Sequence, residues 1–217
     1  AEVNALTDAG GDVAGATVYV TLEPCAFVGR TPACAQTLID AKVGRVVVAT
    51  QDPHPQVAGK GCQMLRDAGI EVVEFDLPEA QQMIAGFVSR ITRQRPRVVL
   101  KSASSLDGAV ALASGESQWI TGAAARKEVQ QLRAQSDAVI TGAGTVAADD
   151  PQLNVRDPGL LAKPLEQPLR VVLDSALRAP SNRQIFSDHT LVVHGLGEGA
   201  SYAETTPGAV EYLPLAG

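Results

Sequence analysis

The chain has only three cysteines in 217 residues, Cys25, Cys34 and Cys62, too few for a disulfide framework. It lacks any apolar run near the ~20 residues of a membrane span. Its first residues lack the basic, apolar, small-residue order of a signal peptide. A reducing cytoplasm is therefore the expected compartment, where cysteines serve packing or metal binding rather than cross-links. Basic residues are also scarce: 18 Lys plus Arg against 24 Asp plus Glu give a net charge of −6. That balance argues against a surface built to grip a nucleic-acid backbone. With 45% hydrophobic and 19% charged residues, wholesale disorder is excluded. No repeat or low-complexity tract stands out. An initiating Met is missing too. The chain opens Ala-Glu-Val-Asn and closes on a β-rich run, Ala209–Leu213, so it reads as an internal piece of a longer protein.

What is present is an alternation of strand-like and helix-like segments. Ala1–Ala9 reads as a helix stopped by Gly10-Gly11. Ala16–Thr21, Arg45–Thr50 and Ile70–Glu74 are short β-rich runs, the second nearly continuous in apolar residues, as buried parallel strands are. Helices are expected over Ala33–Lys42, over 61–68, and over Pro78–Gln94 as the longest, with Pro78 suited to its first turn. The arginine-rich Arg90–Arg97 reads as a solvated helix end, and a boundary is placed at Arg95-Pro96. A second unit is expected to open with a strand at Arg97–Ala103. A helix at Ala123–Gln135 and strands at Asp137–Thr141, Leu169–Asp174 and Thr190–His194 follow. The pattern predicts an α/β layer structure with helices on both faces of a sheet, in two domains, 1–95 and 96–217.

The first chemical constellation is Thr21-Leu-Glu-Pro-Cys-Ala-Phe-Val-Gly-Arg-Thr-Pro-Ala-Cys34. Two thiols lie in a turn-rich segment at the C-terminal end of a strand, where α/β folds place their sites. Thiolates suit zinc, but two of them leave its tetrahedral site unfinished, and weak retention is expected from this pair alone. Burial as two small hydrophobes is an open alternative at roughly even odds. Ala1-Glu2 match the end of the His-x-Glu element that precedes Pro-Cys and a second Cys in zinc deaminases. There the Glu shuttles a proton; a surface helix acid is the plainer reading of Glu2 alone. His54 reads as an exposed loop residue and Cys62 as core.

Pro24-Cys25-x-x-x-Gly-Arg-Thr-Pro-x-Cys34, with Gln51-Asp-Pro-His-Pro-Gln-Val-Ala-Gly-Lys-Gly61 downstream, resembles the bifunctional riboflavin-biosynthesis deaminase/reductase family. Phe27 stands where that family commonly has His, and Ala33 where it often has Pro. The resemblance implies a cytidine-deaminase-like α/β/α domain in which Cys25 and Cys34 bind zinc and Glu2 is catalytic. The reaction implied is hydrolytic loss of ammonia from a pyrimidine carrying a phosphorylated ribose.

The second half gives weaker signals on its own. Gly142-Ala-Gly-Thr145 reads as a turn whose N–H groups could approach a phosphate. Trp119 reads as core or as the lining of a cofactor cleft. Arg133 and Arg156 are able to clamp a phosphate, or are merely solvated. Yet Lys101–Gly108, Ser114–Thr121, Leu132–Ser136 and Thr145–Arg156 are similar to successive motifs of the reductase half of the same family. The resemblance implies a dihydrofolate-reductase-like α/β domain that uses NADPH to reduce the ribosyl group to ribityl. Substrate contacts fall on Ser117, Arg133, Leu153 and Arg156. NADPH contacts fall on Ala103, Trp119, Thr145, Asp149 and Ser175, with Lys101 near the reacting centre. The family also implies a homo-oligomer, with no nucleic acid or membrane as partner. Two rivals stay open: a nucleoside or RNA deaminase, and a degenerate deaminase-fold scaffold without activity.

Overall fold

A computed structural model of the chain describes residues 1–29, 32–160, 167–204 and 206–215. Arg30 and Thr31 of the cysteine loop, and 161–166 of the Pro-rich stretch, lie outside the described residues. The chain divides into two compact units, Ala1–Lys101 and Ser102–Gly217.

The first unit runs α1 (Glu2–Ala9), β1 (Thr17–Val20), α2 (Cys34–Asp40), β2 (Arg45–Val48), α3 (Lys60–Asp67), β3 (Glu71–Glu74), α4 (Pro78–Met83) and α5 (Ala85–Arg93). Its three strands pair in parallel in chain order, with Val18 opposite Val46 and Val46 opposite Val72. Because side chains alternate across a strand, Val18, Val20, Val46, Val48 and Val72 share one face. That face packs on Ala35 and Leu38 of α2, Cys62 and Leu65 of α3, and Leu6 of α1. On the other face Tyr19 and Phe75 are exposed and, with Val47, Ala49 and Leu77, line an apolar cavity of about 380 Å³. Helices α1, α2 and α3 thus cover one face of this sheet and Tyr19 and Phe75 stay exposed on the other, where the alternation predicted helices on both.

Leu38 is fully buried in the middle of this core. Leu38→Ala is expected to cost about 2–5 kcal/mol, because the site loses transfer free energy and keeps a cavity. A urea titration of the two proteins measures the difference.

The second unit runs α6 (Ala123–Ala134), β4 (Ala138–Gly142), α7 (Ala143–Asp149), β5 (Leu169–Leu173), β6 (Thr190–His194) and β7 (Val210–Pro214), with short 3₁₀ turns at Pro158–Leu160 and Gln184–Ser187. Its four strands are also parallel and in chain order. Val146 of α7, Val172 of β5, Val192 of β6, Ile185, Phe186 and Tyr202 form its core. The Phe186 and Tyr202 rings meet edge to face, 5.2 Å between centroids.

Three expectations are corrected. Pro78–Gln94 is not one helix. It breaks at Ile84 (φ −106°, ψ 15°), and α6, not this segment, is the longest helix described. Gly86 and the β-branched Ile84 are both poor helix formers at the break. Arg97–Ala103 is not a strand: no ladder lies beside it among the described residues, and Val98 and Leu100 are 81% and 93% exposed. β propensity needs a neighbouring strand to be realised. Gly142–Thr145 is not a free turn, since Gly142 is extended and α7 starts at the next residue. No helix among the described residues is long and apolar enough to cross a membrane.

Candidate active sites

The fold brings Glu2, Cys25 and Cys34 together from three separate elements. Glu2 occupies the first turn of α1, with its side chain 13% exposed. Cys25 follows β1, and Cys34 opens α2; both are half-buried. The Cys34 N–H donates to Cys25 Sγ at 3.3 Å, and the Ala35 N–H donates to the Cys25 carbonyl at 3.1 Å. The first amides of α2, which have no partner within the helix, are thus used to hold Cys25. Burial pushes the Cys34 thiol up to about 12, and the adjacent Glu2 carboxylate and Cys25 thiol add to the shift. A negative charge beside a thiol disfavours the thiolate, and a cation placed among the three groups would reverse that bias.

Among the described residues, no group of three or more His, Cys, Asp or Glu side chains is placed to hold a metal. The two sulfurs supply part of a zinc site. Cys62 is fully buried, as a core residue should be. His54 is half-buried rather than exposed. Its N–H donates to Asp52 Oδ1 at 2.7 Å, and its Nδ1 accepts from the Gln56 N–H at 3.2 Å.

In the second unit the residues carried by the resemblance fall into three groups. Thr145 and Asp149 lie exposed on α7, directly after the C-terminal end of β4. Ser175 is exposed just past the end of β5, and its carbonyl accepts from the Gly195 N–H beyond β6, at 2.9 Å. All three therefore follow carboxyl ends of parallel strands, the side on which α/β sheets bind ligands. Arg133 and Arg156 make a second group. The half-buried Arg133 donates to the Asn154 carbonyl at 3.0 Å. Its pKa is lowered by burial and then by the positive field of Arg156. Neither arginine pairs with a carboxylate among the described residues, so the two form a small electropositive site suited to an anion. Leu153, between them in sequence, has a positive φ of 52°.

The third group lies in the irregular segment before α6. Ala103 and Ser117 are half-buried there. Trp119 is 69% exposed, so the core reading of this residue is set aside. The Arg126 guanidinium sits 4.3 Å over its ring and donates to the Thr121 carbonyl.

Several residues escaped the sequence reading. Glu23, inside the cysteine motif, is only 2% exposed and hydrogen-bonds four backbone N–H groups. Gln130 and Gln167 hold the segment bearing Arg156: Gln130 Oε1 accepts from the Arg156 N–H at 2.8 Å, and Gln167 bonds both the N–H and the carbonyl of Val155. Asp174, beside Ser175, accepts from the N–H groups of Arg178 and Ala179 and from the Tyr202 hydroxyl. The Glu-Pro-Cys context was the one available signal for Glu23; the glutamines carried none.

Two family models match separate stretches of the chain. Residues 1–50 match the cytidine and deoxycytidylate deaminase zinc-binding region, and residues 96–197 match the RibD C-terminal domain. The chain is 51% identical over 201 residues to the riboflavin biosynthesis protein RibD of Haemophilus influenzae, covering 88% of this chain and 54% of that protein. It is 51% identical over 187 residues to the Escherichia coli RibD, covering 82% and 51%. The solved Acinetobacter baumannii RibD superposes with a TM-score of 0.82 at 46% identity, over 100% of this chain and 61% of that one. A Thermotoga maritima diaminohydroxyphosphoribosylaminopyrimidine deaminase/5-amino-6-(5-phosphoribosylamino)uracil reductase gives 0.80 at 36% identity, over 95% and 58%. The chain spans about half the length of the curated relatives it matches. Over most of its length the chain is thus similar to RibD riboflavin-biosynthesis proteins, with a match to a deaminase zinc-binding region followed by a match to the RibD C-terminal domain, each on a parallel α/β unit.

Proposed function

We propose that the chain contributes to two consecutive reactions of riboflavin biosynthesis, a zinc-dependent deamination in residues 1–95 and an NADPH-dependent reduction in residues 96–217. The observation that carries this is the convergence of Glu2, Cys25 and Cys34, with Cys25 held by two α2 amides, upstream of a match to the RibD C-terminal domain. Cys25 and Cys34 are the residues that would hold zinc. Zinc supplies a Lewis acid that makes water nucleophilic near neutral pH. Glu2 would take one proton from the attacking water and pass it to the ring nitrogen, then carry the second, from the hydroxyl now on the ring carbon, to the departing amine. The 2-amino group of the diaminopyrimidine thus leaves as ammonia, and a carbonyl takes its place.

For the reduction, NADPH supplies the hydride, and the protein supplies orientation and charge. Arg133 and Arg156 bind the ribose phosphate, with Ser117 and Leu153 beside the substrate. Ala103, Trp119, Thr145, Asp149 and Ser175 position NADPH, and Lys101 lies near the reacting centre. The partners are thus a phosphorylated pyrimidine and NADPH, not nucleic acid, in keeping with a net charge of −6. Three free cysteines suit a reducing cytoplasm. The homo-oligomeric state is carried over from the family resemblance.

The test supplies zinc and the diaminopyrimidine ribosyl phosphate, then follows ammonia release and NADPH consumption in turn. Ammonia followed by NADPH oxidation supports the proposal; zinc-loaded protein that releases no ammonia overturns the deaminase half. Arg156→Ala is expected to raise the KM for the phosphorylated substrate roughly 10–100-fold, as the loss of a charge-assisted hydrogen bond implies. Steady-state kinetics at saturating NADPH measure it.

A further inference from the structure

The cysteine loop is tied to a distant part of its own unit by one buried carboxylate. Glu23 Oε1 accepts from the N–H of Gly61 at 2.9 Å and of Cys62 at 3.2 Å. Its Oε2 accepts from the N–H of Gly59 at 2.9 Å and of Asp52 at 3.2 Å. Each oxygen thus takes two donors, and the acceptor capacity of the carboxylate is filled. Gly61 and Cys62 belong to the first turn of α3, whose amides have no partner within the helix. Glu23 supplies that partner from 38 residues away, and no basic side chain pairs with it among the described residues.

The neighbouring backbone is fitted as closely. A Cβ on Gly61 would lie 1.8 Å from the Pro24 carbonyl oxygen, so only glycine allows α3 this near to the Glu-Pro-Cys turn. One residue on, Cys25 meets the start of α2 through the Ala35 and Cys34 amides. A continuous chain of contacts therefore runs from α3 through Glu23, Pro24 and Cys25 to α2.

We infer that Glu23 is a positioning residue: its carboxylate, locked on four amides, fixes Cys25 against Cys34 so that the two sulfurs can engage one soft metal ion. The inference rests on the zinc reading for its purpose but not for its geometry. An alternative in which Glu23 merely fills volume makes a different prediction, because glutamine has the same shape. Glu23→Gln keeps one oxygen but turns an NH₂ group, a donor, toward two amide donors.

The experiment uses the whole polypeptide and two probes. Phenylarsine oxide captures two thiols only when both sulfurs reach one arsenic, and it reports sulfur placement without any metal; Cys62 is buried out of its reach. Zinc affinity is read by competition with a chromogenic chelator. Glu23→Gln is expected to slow arsenical capture at least tenfold. Zinc affinity should weaken roughly 10–100-fold, as loss of a group that orients a ligand typically does. Amide exchange at Gly59, Gly61 and Cys62 should accelerate, while Trp119 fluorescence stays unchanged. Should Glu23→Gln fail to fold, Gly61→Ala displaces the Pro24 carbonyl with the carboxylate intact, and the same slowed capture is expected. Arsenical capture by Glu23→Gln at the wild-type rate overturns the inference. Wild-type protein that captures arsenic but binds no zinc overturns the zinc reading instead and leaves the positioning role standing.

Discussion

Glu2→Gln is expected to lower ammonia release by about 10²–10⁴-fold, the range over which a positioned proton-transfer group accelerates a reaction. Glutamine keeps the length and shape of the side chain beside Cys34, so the sulfurs stay where they are. It cannot accept and return a proton. In the deaminase pattern this acid is not a zinc ligand, so zinc affinity should change little. NADPH oxidation with already deaminated substrate should also be unaffected, since Glu2 lies in the first unit and the residues proposed for the reductase, Lys101 apart, in the second. Parallel assays of ammonia and NADPH separate these effects. Equal loss in both would mean that Glu2 supports the fold rather than the chemistry.

A stability effect of comparable weight is expected at Asp174→Ala. The Asp174 side chain is 3% exposed and accepts from Arg178 N–H at 3.0 Å, Ala179 N–H at 2.7 Å and the Tyr202 hydroxyl at 3.0 Å. Removing it leaves two buried donors and one part-buried donor without an acceptor. Bonds to a charged group contribute about 1.5–3 kcal/mol each and do not add fully, so the loss should be about 3–5 kcal/mol. Burial alone would raise the pKa of Asp174, but the Ala179 and Arg178 amides with the Tyr202 hydroxyl outweigh it and hold the carboxyl below its ordinary value. Burial, and then the same charge, push the Tyr202 hydroxyl up.

The sign of the pH dependence follows. A carboxyl with a depressed folded pKa contributes fully above its unfolded value near 3.8. That contribution fades as the pH falls through the lower folded pKa. Wild type and Asp174→Asn should therefore differ most in urea midpoint at neutral pH and converge in acid below the ordinary carboxylate range. A constant difference down to the lowest pH would show that the loss is one of shape and not of charge.

The readable part of the protein was local. Valine-rich runs such as Arg45–Val48 announced parallel strands, and the motifs singled out Glu2, Cys25 and Cys34, three side chains that the fold brings together. What stayed hidden depends on partners far along the chain. Glu23 looks like any loop acid until Asp52, Gly59, Gly61 and Cys62 fold back onto it. Arg97–Ala103 has the composition of a strand but pairs with none among the described residues. Arg126 is one of several helix cations, and only its position over Trp119 distinguishes it. Pairings of this kind are fixed by tertiary geometry, which residue-by-residue preference does not encode.

The all-parallel, chain-order pairing of both sheets has a kinetic consequence. No strand among the described residues meets its partner through a hairpin; each pairing must wait for the closure of a long connection, such as the one from β4 at Ala138–Gly142 to β5 at Leu169–Leu173. Such topologies fold slowly, because loop entropy is lost before the contacts that offset it can form. Since each strand joins only the one before it, the sheets can lengthen in the order in which the ribosome delivers them. During that interval the newest strand exposes an unpaired edge, the form most prone to misassociation.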